Sequence, residues 1–155
     1  MRAMTAQTRI QNPARFFPEA TPAIQSLMGA TYQSGVPQST LALVHLRVSQ
    51  LNGCAVCLAM GREHAKSLGE SEDRICAATT SPNASCWTDA ERAALRLADS
   101  VTRLDAGEDS VPDEVWNEAA RYYDERALAG LVLSIGMTNL FNRVNIATRQ
   151  DGKSW

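Results

Sequence analysis

The residues of this sequence best suited to covalent chemistry are Cys54 and Cys57, which stand three positions apart. Gly53 precedes them and a helical pattern of apolar residues follows, so the pair lies at the predicted start of a helix. The first turn of a helix carries unpaired N–H groups and the positive end of the macrodipole, and a thiol there ionises more easily. Two cysteines at this spacing can also close a small disulfide ring. The pattern therefore suits a dithiol that alternates between reduced and oxidised forms.

Three other roles for the pair stay open at this point. It could be half of a zinc site, but Cys76 and Cys86 are ten positions apart and His64 is the one histidine nearby. The two cysteines could be buried core residues, because free cysteine often behaves as a small hydrophobe. They could also form a fixed structural disulfide, although nothing in the sequence indicates secretion. Of the remaining cysteines, Cys76 is expected to be buried and Cys86 exposed, and neither is assigned a role.

Composition limits the classes of partner and compartment. The chain has 155 residues and a net charge of −2, which fits one globular domain and no nucleic-acid partner. We find no polybasic run and no apolar run of about 18 residues, so no membrane association is expected. Residues 1–12 are polar and do not resemble a secretory signal. Four cysteines without such a signal predict a reducing, cytoplasmic location.

The elements that position the cysteines are predicted to be helices, since no segment shows a clean strand period with hairpin turns. We predict an N-terminal arm at residues 1–22, a single all-α domain of six or seven helices at 23–148, and a loose polar tail at 149–155. Segment 37–51 is apolar on more than one face and is expected to be buried, with His45 and Arg47 as paired structural groups. Residues suited to cap helix starts are Thr21, Ser39 or Thr40, Ser71, Thr88 and Asp124.

Several segments resemble one family. The run Leu46-Arg47-Val48-Ser49-Gln50-Leu51-Asn52-Gly53-Cys54-Ala55-x-Cys57 is similar to the signature of the carboxymuconolactone decarboxylase and alkylhydroperoxidase D-like superfamily. Residues 88–95, 111–115 and 139–145 resemble its later helices, and the likeness covers roughly residues 23–148. The resemblance implies an alkylhydroperoxidase D-like helical fold and a homo-oligomer, commonly a trimer or hexamer.

The resemblance also implies a chemistry for the two cysteines. In the alkylhydroperoxidase branch, Cys57 would attack a small-molecule hydroperoxide, and Cys54 would resolve the sulfenic acid into a Cys54–Cys57 disulfide. A dithiol reductant or a thioredoxin-like donor would then reduce that disulfide. No organic cofactor and no metal is needed. The decarboxylase branch generally lacks the cysteine pair.

Two positions depart from the redox branch. Its usual glutamate, twelve residues before the first cysteine, is here Ala42, and its usual histidine, four residues after the second, is here Gly61. In that branch the two groups form the proton relay that activates the attacking thiol. Since general-base help is typically worth about 10²–10⁴-fold in rate, their absence predicts weak peroxidase turnover.

The two histidines of the chain suggest a replacement for the relay. His45 follows Ala42 by three residues and His64 follows Gly61 by three, so each histidine is nearly one helical turn further along the same face. The displacement is about 4.5 Å along the helix axis, which a bridging water would have to span. The plain alternative is that both are ordinary surface or subunit-contact residues.

Together with this resemblance, the sequence predicts a cytoplasmic thiol-dependent peroxidase of the alkylhydroperoxidase D-like type, with Cys57, Cys54, His64 and His45 as its candidate catalytic residues. A second hypothesis is a redox-sensing or disulfide-exchange oligomeric module without efficient turnover. A third is a non-redox, decarboxylase-like use of the same pocket, in which the cysteines would be dispensable.

Overall fold

The computed structural model describes residues 7–105 and 109–153, and within them it contains seven α-helices and no strand. This confirms the all-α prediction of six or seven helices. A short 3₁₀ helix, Pro13–Phe16, precedes the first of them. The helices are α1 (Ala20–Tyr32), α2 (Gln38–Leu51), α3 (Ala55–Ser67), α4 (Glu72–Thr80), α5 (Asp89–Thr102), α6 (Asp113–Ala120) and α7 (Glu125–Thr148).

The helix α2 lies between two parts of the core. One face, with Leu41, Val44 and Val48, packs on α5 and α7, and the opposite face, with Leu43 and Leu46, packs on α3 and α4. Every residue from 40 to 49 is buried except His45, which is partly exposed. A helix that is apolar on more than one face has to be covered on more than one face, so the prediction that α2 is buried is confirmed.

Side-chain caps account for the starts of three of the seven described α-helices. Ser71 and Asp124 accept hydrogen bonds from backbone N–H groups of α4 and α7, and Thr88 forms a full capping box with Glu91 at the start of α5. Thr21, by contrast, is not a cap, because α1 begins at Ala20 after Glu19. Neither Ser39 nor Thr40 caps α2, whose first helical hydrogen bond is accepted by the Pro37 carbonyl.

The described part of the N-terminal arm and of the C-terminal tail are joined to each other. Arg9 N–H donates to the Thr148 carbonyl, and the Gln150 side chain donates to the Ile10 carbonyl. Gln150 is buried, so the expectation of a loose tail is wrong at this residue. The left-handed conformation of Arg149 turns the chain back, and the Gln150 N–H then bonds the Asn145 carbonyl. Residues 1–6 of the arm and 154–155 of the tail lie outside the described residues.

The helix α7 is the one described helix that is long and apolar enough to cross a membrane, by length and composition. Half of its most apolar 18-residue stretch is buried within the protein, and the helix packs against α1, α2, α3, α5 and α6. Its apolar composition is explained by its place in the core.

Candidate active site

The cysteine pair lies where α2 ends and α3 begins. Gly53 has a φ of +69°, a conformation that favours glycine, and it lets the chain reverse between the two helices. Cys54 is then the extended residue that precedes α3, and Cys57 lies in the first helical turn. The two cysteines form a disulfide with a Cα–Cα distance of 5.3 Å, and both are buried. The predicted position at a helix N-terminus is therefore observed.

A cavity of about 430 Å³ lies between α1, α2, α3 and α7 and includes Cys57 in its lining. Exposed residues such as Gln25 and Met60 form its mouth, and buried residues form its floor. Most of the lining is apolar; the larger apolar side chains are Ile24, Met28, Leu41, Met60, Met137 and Phe141. Cys57 belongs to the lining of this cavity, whereas Cys54 does not.

Both histidines line this cavity, and so do the two positions at which the redox branch usually has its glutamate and histidine. His45, His64, Ala42 and Gly61 all line it together with Cys57. Ala42 and Gly61 present no ionisable group there. His64 is exposed near the mouth, and His45 is partly buried deeper in the site.

The ring of His45 makes two polar contacts. Its Nε2 lies 3.3 Å from the Cys57 carbonyl oxygen, and its Nδ1 lies 3.4 Å from the Thr138 hydroxyl. A carbonyl oxygen only accepts, so Nε2 carries a hydrogen and donates a hydrogen bond to the Cys57 carbonyl oxygen. Both ring nitrogens of His45 are thus directed to oxygens, and the histidine supports the Cys57 backbone.

Burial lowers the pKa of His45, because a charged imidazolium loses its hydration. The hydrogen bond to the Cys57 carbonyl opposes this shift, and repulsion from nearby His64 adds to it. A His45 with a lowered pKa is neutral at pH 7, and in that state Nδ1 is the ring's proton acceptor.

Gly61 is the residue that makes room for His45. A Cβ atom at position 61 would lie 2.7 Å from His45 Cδ2 and 3.1 Å from His45 Nε2. A side chain at position 61 therefore cannot coexist with the observed ring position of His45.

The Cys57 sulfur has a polar neighbour, Asn145, that is not among the predicted site residues. Asn145 Nδ2, on α7, donates a hydrogen bond to Cys57 Sγ at 3.3 Å, and the Asn145 side chain is buried. Asn139, Asn142 and Asn145 recur at intervals of three along an apolar helix. That spacing, which puts three amides on one side of α7, is the sequence signal that could have indicated them.

The other two cysteines lie elsewhere. Cys86 is exposed, as predicted, but Cys76 is also exposed, so its predicted burial is wrong. The reason is the amphipathic character of α4, which buries Ile75 and Ala78 and turns Cys76 to the opposite side. Within the described ranges 7–105 and 109–153, no three His, Cys, Asp or Glu side chains come together as metal ligands.

Comparison with known proteins gives a consistent family. The model of the carboxymuconolactone decarboxylase family matches residues 18–100, which is more than half of the chain. The uncharacterized protein YdfG of Bacillus subtilis (strain 168) is 35% identical over 130 residues, covering 84% of this chain and 87% of YdfG.

Solved structures agree with this assignment. The crystal structure of ATU0492 from Agrobacterium tumefaciens, a protein of unknown function named as a candidate antioxidant defence protein AhpD, is 30% identical with a TM-score of 0.83. The match covers 94% of this chain and 97% of ATU0492. An uncharacterized peroxidase-related protein from Silicibacter sp. TM1040 shares the fold, with 18% identity, a TM-score of 0.77 and coverage of 88% and 72%. The chain therefore belongs to the carboxymuconolactone decarboxylase family and has the AhpD-like fold, as its sequence motifs predicted.

Proposed function

We propose that this protein reduces hydroperoxides with the Cys57–Cys54 dithiol. The observation that carries the proposal is the position of Cys57, which lines a largely apolar cavity and lies within disulfide reach of Cys54. An apolar cavity of this size suits an organic hydroperoxide, with its peroxide group next to the Cys57 sulfur.

The proposed catalytic cycle has three steps. The Cys57 thiolate attacks the terminal peroxide oxygen, the O–O bond breaks, and the alcohol leaves after taking one proton. Cys57 is then a sulfenic acid, and the Cys54 thiol displaces water from it to form the disulfide. A dithiol donor, small or thioredoxin-like, reduces the disulfide by thiol exchange and is itself oxidised. The need for such a donor favours a reducing compartment such as the cytoplasm.

The proton chemistry in this proposal falls to His45 and His64. Both line the cavity with Cys57, and His45 is neutral at neutral pH because its pKa is lowered. Since the ring nitrogens of His45 face the Cys57 carbonyl and Thr138, proton transfer from the sulfur requires a bridging water. We therefore expect slower turnover than in relatives that carry the usual glutamate and histidine.

We also propose that the protein is a homo-oligomer, a trimer or hexamer. Ala129, Leu133, Gly136 and Leu140 are all exposed and fall at helical spacing on one side of α7. We call these four residues the α7 seam. The Cβ of a residue at position 136 would meet no atom within 4 Å, so a second copy of the chain has room for close approach there.

The decisive experiment is a single-turnover reaction of the reduced protein with one equivalent of cumene hydroperoxide. We expect two thiols to be lost into a Cys54–Cys57 bond, identified by mass spectrometry, and a trapped sulfenic acid at Cys57 in the Cys54→Ser variant. Cys57→Ser should abolish the reaction, and the exposed Cys76→Ser variant is the matched control that should react normally. Oxidation no faster than that of a free thiol at the same pH would contradict the proposal.

A redox-sensing module is the second candidate function. The observation in its favour is that Ala42 and Gly61 leave the cavity without the ionisable groups that the redox branch usually has there. A sensor would form the disulfide once and keep it, whereas a peroxidase would consume many equivalents of hydroperoxide in the presence of a dithiol donor. Repeated turnover therefore separates the two functions. An activity that persists after both cysteines are replaced by Ser would support a non-redox use of the pocket.

A further inference from the structure

We propose that Asn145 is a further catalytic residue, which stabilises the thiolate of Cys57 by donating a hydrogen bond to its sulfur. This inference deepens the proposed function, because the thiolate is the form of Cys57 that would attack a peroxide. Asn145 would supply part of the thiol activation that Ala42 and Gly61, which have no ionisable group, do not provide.

The contact that carries the inference is direct. Asn145 Nδ2 lies 3.3 Å from Cys57 Sγ, and both side chains are buried. An amide nitrogen only donates, so the contact favours whichever state of the sulfur is the better acceptor. A thiolate carries a full negative charge and accepts far more strongly than a thiol or a disulfide sulfur.

The surroundings strengthen this preference. A hydrogen bond to the charged form of an acid lowers its pKa, and hydrogen bonds are stronger in a buried site than in water. Cys57 also lies in the first turn of α3, where the helix macrodipole favours negative charge. The Asn145 amide and the helix N-terminus therefore act on the same sulfur in the same direction, while the thiol proton leaves through the cavity to solvent.

The position of Asn145 is fixed by its neighbours on α7. Asn142 donates to Ser49 on α2, and the Asn52 side chain, in the turn before Cys54, donates to both Asn139 and Asn142. These bonds tie α7 to the end of α2. The Asn145 carbonyl also accepts from Gln150 N–H, which closes the end of the helix. The first two asparagines thus hold the turn that presents the cysteines, and the third reaches the sulfur.

The test measures the ionisation of Cys57 without any peroxide. In a Cys54→Ser background, the rate of Cys57 alkylation by iodoacetamide is followed from pH 5 to pH 10 by mass spectrometry of the peptide that contains it. The midpoint of the profile reports the Cys57 thiol pKa. We expect Asn145→Ala to raise the midpoint by about one pH unit, which is about a tenfold loss of thiolate at low pH. Asn145→Asp should raise it further, because a carboxylate repels the thiolate.

Two control variants separate contact with the sulfur from support of the fold. Asn117→Ala, at an exposed position of α6, should leave the midpoint unchanged. Asn139→Ala removes a bond that ties α7 to the turn but keeps the amide on the sulfur, so it should shift the midpoint less than Asn145→Ala. Thermal unfolding followed by circular dichroism checks each variant, and Asn145→Ser replaces Asn145→Ala if that variant does not fold.

An unchanged midpoint in the folded Asn145 variants would overturn the proposal, as would an equal shift in Asn139→Ala. The outcome is independent of the peroxidase proposal. A raised midpoint in Asn145→Ala with no reaction of the parent protein toward cumene hydroperoxide would keep the role of Asn145 and reject the peroxidase.

Discussion

Around Cys57, different side chains contact the sulfur and the backbone. The Asn145 amide contacts Sγ, whereas the His45 ring contacts the carbonyl oxygen of the same residue. A donor on the sulfur acts on its ionisation, while a donor on the carbonyl holds the first turn of α3 in place. The two polar neighbours of Cys57 therefore have different expected effects on reactivity and on stability.

Gly61 and His45 are sterically coupled, because a side chain at position 61 would occupy the space of the His45 ring. We expect Gly61→Ala to destabilise the protein by about 1–3 kcal/mol, because the new Cβ would lie 2.7 Å from His45 Cδ2 and force the ring to move. In a His45→Ala background the same substitution should cost clearly less, because the clash with the ring is gone and the remaining close neighbour is Leu46 Cδ2 at 3.1 Å. Alanine also favours the helix over glycine. Urea unfolding of the four proteins measures this double-mutant cycle.

Additive effects in that cycle would contradict the coupling. The same coupling concerns Gly61 as the position where the redox branch usually has a histidine. A histidine at position 61 would compete with His45 for the same space, so Gly61→His should fold well only when His45 is replaced by a small residue.

At the scale of elements, α7 combines a packing role with a site role. Its apolar residues Leu128, Leu131 and Ile135 belong to the core with α2 and α5, and its asparagines contact the cysteine turn and Cys57. Any shift of α7 along its axis therefore changes both the core and the site.

The close approach of α7 to Ser34, in the turn that follows α1, rests on Gly130. A Cβ at this position would overlap the Cβ and Oγ atoms of Ser34, which is buried. We expect Gly130→Ala to lower the free energy of unfolding by about 1–3 kcal/mol through this overlap. The matched control is Gly29→Ala in α1, where a Cβ would meet nothing within 4 Å, and which should stabilise the helix by about 0.5–1 kcal/mol. Equal effects of the two substitutions in thermal unfolding would refute the packing argument.

In the proposed oligomer, the α7 seam lies between copies of the chain. Leu140 is exposed in the single chain, and a charge there would be buried without a partner if copies pack at the seam. We expect light scattering to give three or six chain masses for the parent protein and a smaller assembly for Leu140→Glu. Leu104→Glu, at an exposed leucine outside the seam, should leave the assembly intact. A monomeric parent protein would exclude the oligomer.

The features that could be predicted from the sequence are those set by neighbouring residues. The caps at Thr88 and Asp124 and the helix start after Gly53 each depend on a few consecutive positions, and all three are observed. The predicted burial of Cys76 and the predicted looseness of the tail at Gln150 are wrong. Both depend on which side of an element meets the rest of the protein, as for Gln150 and Ile10, which are 140 residues apart.

The sequence by itself determined the helical class, the family and the location of the cysteine pair at a helix start, because each depends on the spacing of nearby residues or on a short motif. Only the tertiary structure decided which cysteine lines the cavity, where the His45 nitrogens point and that Asn145 reaches the Cys57 sulfur. Those contacts join residues 12 to 93 positions apart, and Asn145 and Cys57 are separated by 88. Distances of that kind follow from how α2, α3 and α7 pack on one another, and no local pattern encodes them.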